Sequence, residues 1–147
     1  MKSYIKITRH PYEEPYHLNL VIEASNGRLS GTMEYYDNTE SLSHIANNLE
    51  VFPKHNTDMF SHEVGSENPE DRFAFYFLFK AFTTNLTGGC AIQLRLNNNR
   101  DLPELEVSNF CIQSEASGIN RLGKLFREFS KLKLTVLEWD GAKGKVY

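Results

Sequence analysis

The chain has 147 residues, a formal net charge of −3, 40% hydrophobic and 24% charged residues, and two cysteines. That length suits one domain burying roughly two thirds of its unfolded surface, so residues 1–147 are read as a single domain, and the composition excludes a disordered or fibrous chain. Mild acidity argues against a nucleic-acid partner, because neutralising phosphates takes a concentrated basic surface.

Tyr4 to Thr8 alternate, with Ile5 and Ile7 on one side and Tyr4, Lys6 and Thr8 on the other, which predicts a half-buried strand ended by Pro11 and Pro15. Leu18, Leu20, Ile22 and Ala24 repeat the pattern over His17 to Ala24. Asn26-Gly27 follows. Both central residues of a type I′ turn need positive φ, so this dipeptide predicts a hairpin into a strand over Arg28 to Tyr36, with Leu29, Met33 and Tyr35 inward. Asp37, three residues before Glu40, resembles the start of a capping box, with Thr39 and Ser41 as competing caps. The helix it opens runs from Glu40 to Val51, is apolar at Leu42, Ile45, Ala46, Leu49 and Phe52, and stops at Pro53.

A short strand is expected over Asp58 to Val64, then a loop over Gly65 to Glu70. Arg72 to Phe82 is the most apolar stretch: Phe73, Phe75, Phe77 and Phe79 share one face, and Ala74, Tyr76, Leu78 and Phe82 the other, as in a central strand covered on both sides. Cys90 to Leu96 alternates cleanly, 97–103 reads as a loop, and Glu104 to Gln113 completes a meander. A second helix, capped by Ser114 or Ser117 and weakened by Gly118 and Gly123, carries Ile119, Leu122, Phe126 and Phe129 on one face. Lys133 to Trp139 returns to the sheet, and 141–147 reads as a flexible tail. The fold class is α+β: a mainly antiparallel sheet of about seven or eight strands, in meanders and hairpins, packed with two helices.

Catalytic motifs are missing from the sequence. No serine sits in GxSxG, and Cys90 and Cys111 lie in no CxxC or metal-ligand spacing, so both are read as reduced structural thiols. Gly141-Ala142-Lys143-Gly144-Lys145 looks like the end of a phosphate loop but lacks its first glycine. His44, His55 and His62, near Asp58 and Glu63, match no metal signature and read as exposed side chains. Neither a cofactor nor a metal is expected. Residues 1–10 contain no long apolar stretch, so no signal peptide or membrane span is expected, and the cytoplasm is the inferred compartment.

Charge is unevenly spread, with six carboxylates against one lysine from Glu50 to Asp71. Tyrosine beside carboxylate suits a basic protein partner, because the ring supplies contact area and the charge supplies steering. The candidate partner-binding residues are therefore Tyr12, Glu13, Glu14 and Tyr16 in one loop, and Glu63, Glu67, Glu70 and Asp71 in the acidic segment.

Leu18 and Leu20 before Asn26-Gly27, Gly31 and Glu34-Tyr35 after it, Leu42 to Pro53, Gly65-Ser66-Glu67 with Pro69 and Arg72, and Asn120-Arg121-Leu122-Gly123 are together similar to a set of small bacterial proteins that resemble immunity proteins of polymorphic-toxin or contact-dependent inhibition systems. The resemblance implies a cytoplasmic, non-catalytic protein that binds and blocks a cognate toxin domain, as in toxin–antitoxin pairs. The competing reading is a small-molecule-binding protein or small enzyme with a pocket between helices and sheet.

Overall fold

The computed structural model describes residues 2–147, apart from the side chain of Glu13. In chain order these residues form β1 (Ser3–Glu13), β2 (His17–Asn26), β3 (Ser30–Asp37), α1 (Thr39–Leu49), β4 (Met59–Gly65), β5 (Tyr76–Thr83), β6 (Gly89–Asn97), β7 (Val107–Glu115), α2 (Ala116–Phe129), β8 (Val136–Trp139) and β9 (Gly144–Val146). The strands make two antiparallel sheets, one ordered β3-β2-β1-β8-β9 and the other a simple meander, β4-β5-β6-β7. This is the α+β, mainly antiparallel architecture expected from the alternation.

Period-two patterning explains the layers. Ile5 and Ile7 of β1, Leu18, Leu20, Ile22 and Ala24 of β2, Met33 and Tyr35 of β3, and Leu137 and Trp139 of β8 are buried on one face of the first sheet. Phe60 of β4, Phe77, Phe79 and Ala81 of β5, Ile92, Leu94 and Leu96 of β6, and Phe110 and Ile112 of β7 are buried on one face of the second. The two faces share a core: the Tyr35 and Phe77 rings stack at 4.1 Å between centroids, and Phe79 meets Phe126 of α2 edge-on at 6.0 Å. Asp37, at the end of β3, holds His62 of β4 at 2.8 Å across the sheets, so His62 is a largely buried tie and not the exposed side chain expected.

The two helices meet at a close joint. A Cβ on Gly123 would lie 2.6 Å from the Glu50 backbone nitrogen and 2.9 Å from the Leu49 carbonyl carbon, so α2 approaches the end of α1 only because that position is glycine. Asn120 Nδ2 donates to the Leu49 and Phe52 carbonyls at 2.9 and 2.7 Å, adding to the Phe52 amide that the Leu49 carbonyl accepts at 3.3 Å. Arg127 Nε donates to Glu50 at 3.0 Å. Gly123 therefore has a packing role that offsets its poor helix propensity.

Several expectations are corrected. β1 runs through Pro11 to Glu13. The pairing shifts by one residue between His10 and Glu13, a bulge in which proline's missing N–H costs no ladder bond. The Asn26-Gly27 hairpin forms, but Ser25 pairs with Ser30, so residues 26–29 form the loop. Asn26 Oδ1 accepts from the Arg28 and Leu29 amides, Gly27 takes the positive φ of 89°, and Leu29 is exposed. Asn38, not Asp37, caps α1 by accepting from the Ser41 amide, while Asp37 turns to His62. Glu115 precedes α2 without a side-chain cap, so neither Ser114 nor Ser117 serves.

β5 begins only at Tyr76, Phe73 is exposed, and the face carrying Tyr76, Leu78 and Lys80 is half-exposed, so the strand is covered on one side. Gly65 at φ 85° turns the chain out of β4 and into the 66–75 excursion that precedes it. The expected tail instead folds back: Leu137, Glu138 and Trp139 pair with Val146, Lys145 and Gly144, and Tyr147 exchanges backbone hydrogen bonds with Val136. Among the described residues, no helix is long and apolar enough to cross a membrane.

We expect Gly123→Ala to lower stability by about 1–3 kcal/mol through overpacking and Asn120→Ala by about 1–3 kcal/mol through the loss of the Phe52 carbonyl's donor. Urea unfolding checks both, and a wild-type midpoint for Gly123→Ala would show that the helices do not meet at this point.

Candidate functional site

The tip of the β1–β2 hairpin carries the first group of candidate residues. Arg9 falls in phase with Ile5 and Ile7, so its side chain enters the interior and is only 3% exposed. A guanidinium there needs an anion and acceptors. Glu14 supplies the anion through an ion pair with Nη1, and the Leu134 carbonyl accepts from Nη2 at 2.9 Å. The Pro15 carbonyl accepts from Thr39 Oγ1 at 3.0 Å. Glu14 is thereby an internal anchor, and the loop is held at two successive residues. Between and beside these anchors, Tyr12 and Tyr16 stand 77% and 87% exposed. The side chain of Glu13 lies outside the described residues.

Rings extend the surface from this tip. Tyr12 stacks near His10 at 6.3 Å, His17 tilts against Tyr36 at 5.6 Å, and Tyr36 reaches Phe75 at 6.3 Å. His17 and Tyr36 were not among the candidates. The signal for them was their phase, outward on strands whose alternate residues are buried.

The acidic segment belongs to the other sheet. Glu67 accepts from Arg95 Nε and Nη2 at 3.0–3.1 and 2.8 Å and from Asn97 Nδ2 at 2.6 Å. The Arg95 hydrogen bond above all holds the Glu67 carboxyl below its ordinary value of 4.5. Glu63 accepts from the Tyr76 hydroxyl at 2.6 Å, and the Tyr76 phenol is pushed up to about 12, first by burial and then by that bond. Asp71 accepts from Ser66 Oγ at 2.6 Å, and Glu70 lies exposed in a single 3-10 turn, Pro69–Asp71. Of these four carboxylates, Glu67 braces the 66–75 excursion against β6, Glu63 links β4 to the start of β5, Asp71 closes a contact within the excursion, and Glu70 is turned outward. The eight candidates divide between two sheets; among the described side chains Glu14 is turned inward, whereas Tyr12, Tyr16, Glu63, Glu67, Glu70 and Asp71 are exposed.

Three surface clefts open between strands and loops, and none of them is lined by a residue of α1 or α2. The largest, about 610 Å³ on the outer face of the first sheet, carries Lys2, Lys6, Lys143 and Lys145, nearly balanced by Glu23, Glu138 and Asp140, with Lys2 bound to Asp140 at 2.8 Å. Among the described residues, no group of three or more His, Cys, Asp or Glu side chains is placed to hold a metal ion. Comparison with protein-family models, curated proteins and solved structures gave no match.

Arg9→Met or Glu14→Leu alone should each cost about 3–5 kcal/mol by stranding a buried charge, whereas the double variant should recover most of the loss. Additive losses in chemical denaturation would show that the two side chains act independently. For Glu67, a folded pKa below the unfolded value means that its stabilising contribution is complete above pH 4.5 and is lost as pH falls through the lowered value. Glu67→Gln should therefore be less stable than wild type at neutral pH and converge with it in acid, while Glu70→Gln tracks wild type throughout. Parallel thermal melts from pH 7 downwards would reveal a failure to converge.

Proposed function

We propose that this chain is a non-catalytic protein-binding domain of the immunity-protein kind, which blocks a cognate toxin domain through the aromatic tip of the β1–β2 hairpin. The observation that supports this reading is Tyr12 and Tyr16 held wide open to water on a loop anchored by Arg9–Glu14 and Thr39–Pro15. Tyrosine has few torsions to freeze and a large amphipathic ring, and an anchored loop has little freedom left to lose on binding. Such residues are the usual anchors of an interface.

A net charge of −3, with Glu70 outward beside Phe73, adds modest steering toward a basic partner. In this reading the protein acts in the cytoplasm, where Cys90 and Cys111, both unpaired, stay reduced.

The test is capture of the toxin domain encoded beside this chain, combined with rescue of cells expressing it. Tyr12→Ala and Tyr16→Ala should each weaken binding by about 30-fold, the effect of a hot-spot residue worth about 2 kcal/mol, and leave the melting temperature unchanged. Full rescue by the double alanine variant, or no rescue by the wild-type chain, would defeat the proposal.

A further inference from the structure

We propose that the recess lined by Tyr12, His17, Asn19 and Tyr36 is a receptor for an arginine side chain of the protein partner. The inference rests on the protein-binding reading and gives it a chemical specificity. The recess measures about 450 Å³ and lies on the outer face of the first sheet, beside the hairpin tip. Three of its four lining side chains are aromatic, and the His17 and Tyr36 rings lie 5.6 Å apart at 58°, forming two walls of a corner.

Beside this corner stands Glu34. Its Oε1 accepts from Tyr36 OH and from Asn19 Nδ2, both at 3.2 Å, which fixes a carboxylate against two of the lining residues. Asn19 Oδ1 is shut off from water and has no hydrogen-bond donor among the described residues, so its dipole adds to the negative potential there. An aromatic lining with a carboxylate at its edge describes a site for a cation. Among cationic side chains a guanidinium fits best, because it is planar, stacks on rings, is weakly hydrated and reaches a carboxylate with a fork of donors. The neighbouring lysine cleft lacks this one-sidedness, because carboxylates balance its ammonium groups.

The probe is the capped tripeptide Ac-Gly-Arg-Gly-NH₂, titrated against the full chain while the His17 ring and Asn19 amide resonances are followed, with the citrulline tripeptide as a neutral isostere and the lysine tripeptide as a second cation. The arginine peptide should shift these resonances saturably, the lysine peptide more weakly and the citrulline peptide not at all. Glu34→Gln retains an acceptor for Tyr36 and Asn19 but removes the charge, and should weaken the arginine peptide about tenfold. Equal shifts with citrulline, no shifts with arginine, or indifference to Glu34→Gln would each overturn the proposal. Binding to the toxin domain separates the two readings: loss with Tyr16→Ala but not with Glu34→Gln defeats the arginine site alone, and loss with neither defeats the protein-binding reading as well.

Discussion

The approach of α2 to the C-terminal end of α1 is the constraint on which the rest of the fold depends. Each sheet has one apolar face, and the two faces share a single cluster with α1 and α2. Helices held apart would open that cluster along its length. Gly123 permits the backbone contact, Asn120 donates to the Leu49 and Phe52 carbonyls, and Arg127 bridges to Glu50. On the neighbouring turn of α2, Arg121 Nη1 donates to the Gly141 carbonyl at 2.6 Å, and Trp139 Nε1 donates to Gly118 at 2.9 Å. The same helix thus fastens the β8–β9 turn. The Asn120-Arg121-Leu122-Gly123 run is accounted for by this joint, which gives it a structural meaning before any functional one.

A second constraint, the burial of Arg9, shapes the surface. A cation inside the first sheet draws in the nearest carboxylate able to reach it, and that recruitment pulls Glu14 inward while leaving Tyr12 and Tyr16 outside. Among the described residues Arg9 Nε and Glu14 Oε2 have no hydrogen-bond partners, so the pair is not an optimised source of stability. Its consequence is conformational: the tip keeps one shape. Glu67 acts in the same way on the other sheet, where Arg95 and Asn97 draw it down. One carboxylate in each of the two loops that the sequence singled out, Glu14 in the first and Glu67 in the second, is taken up in holding its loop.

How far the sequence could be read follows from the range of the interactions involved. Alternation depends only on neighbours in the chain, so the buried faces of β1, β2 and β6 were legible, as was the apolar stripe of each helix. Choices decided by distant partners were not. Asp37 and Asn38 are both good caps, and only His62, twenty-five residues away, determines which is used for α1. The apolar run from Arg72 to Phe82 hid a division, because Phe73 and Ala74 belong to an excursion whose course is fixed by Gly65, Asn99 and Glu67. The short β9 lacked any alternating signal of its own and exists because β8 offers it an edge. Arg9 was legible in principle, since a cation in phase with two isoleucines implies a buried partner.

At the candidate surface, the separation of ring and charge bears on how binding would divide between speed and lifetime. Exposed carboxylates such as Glu70 act at range and are screened within about 10 Å at ordinary salt, so they chiefly affect encounter. In the proposed complex the tyrosines and the recess would act only on contact, by excluding water from ring faces, and so would govern how slowly it separates. With a net charge of only −3 the first effect is small. A surface built in this way depends on shape held in advance, and in this chain that shape comes from Arg9, Glu14 and Thr39, none of which needs to touch the partner.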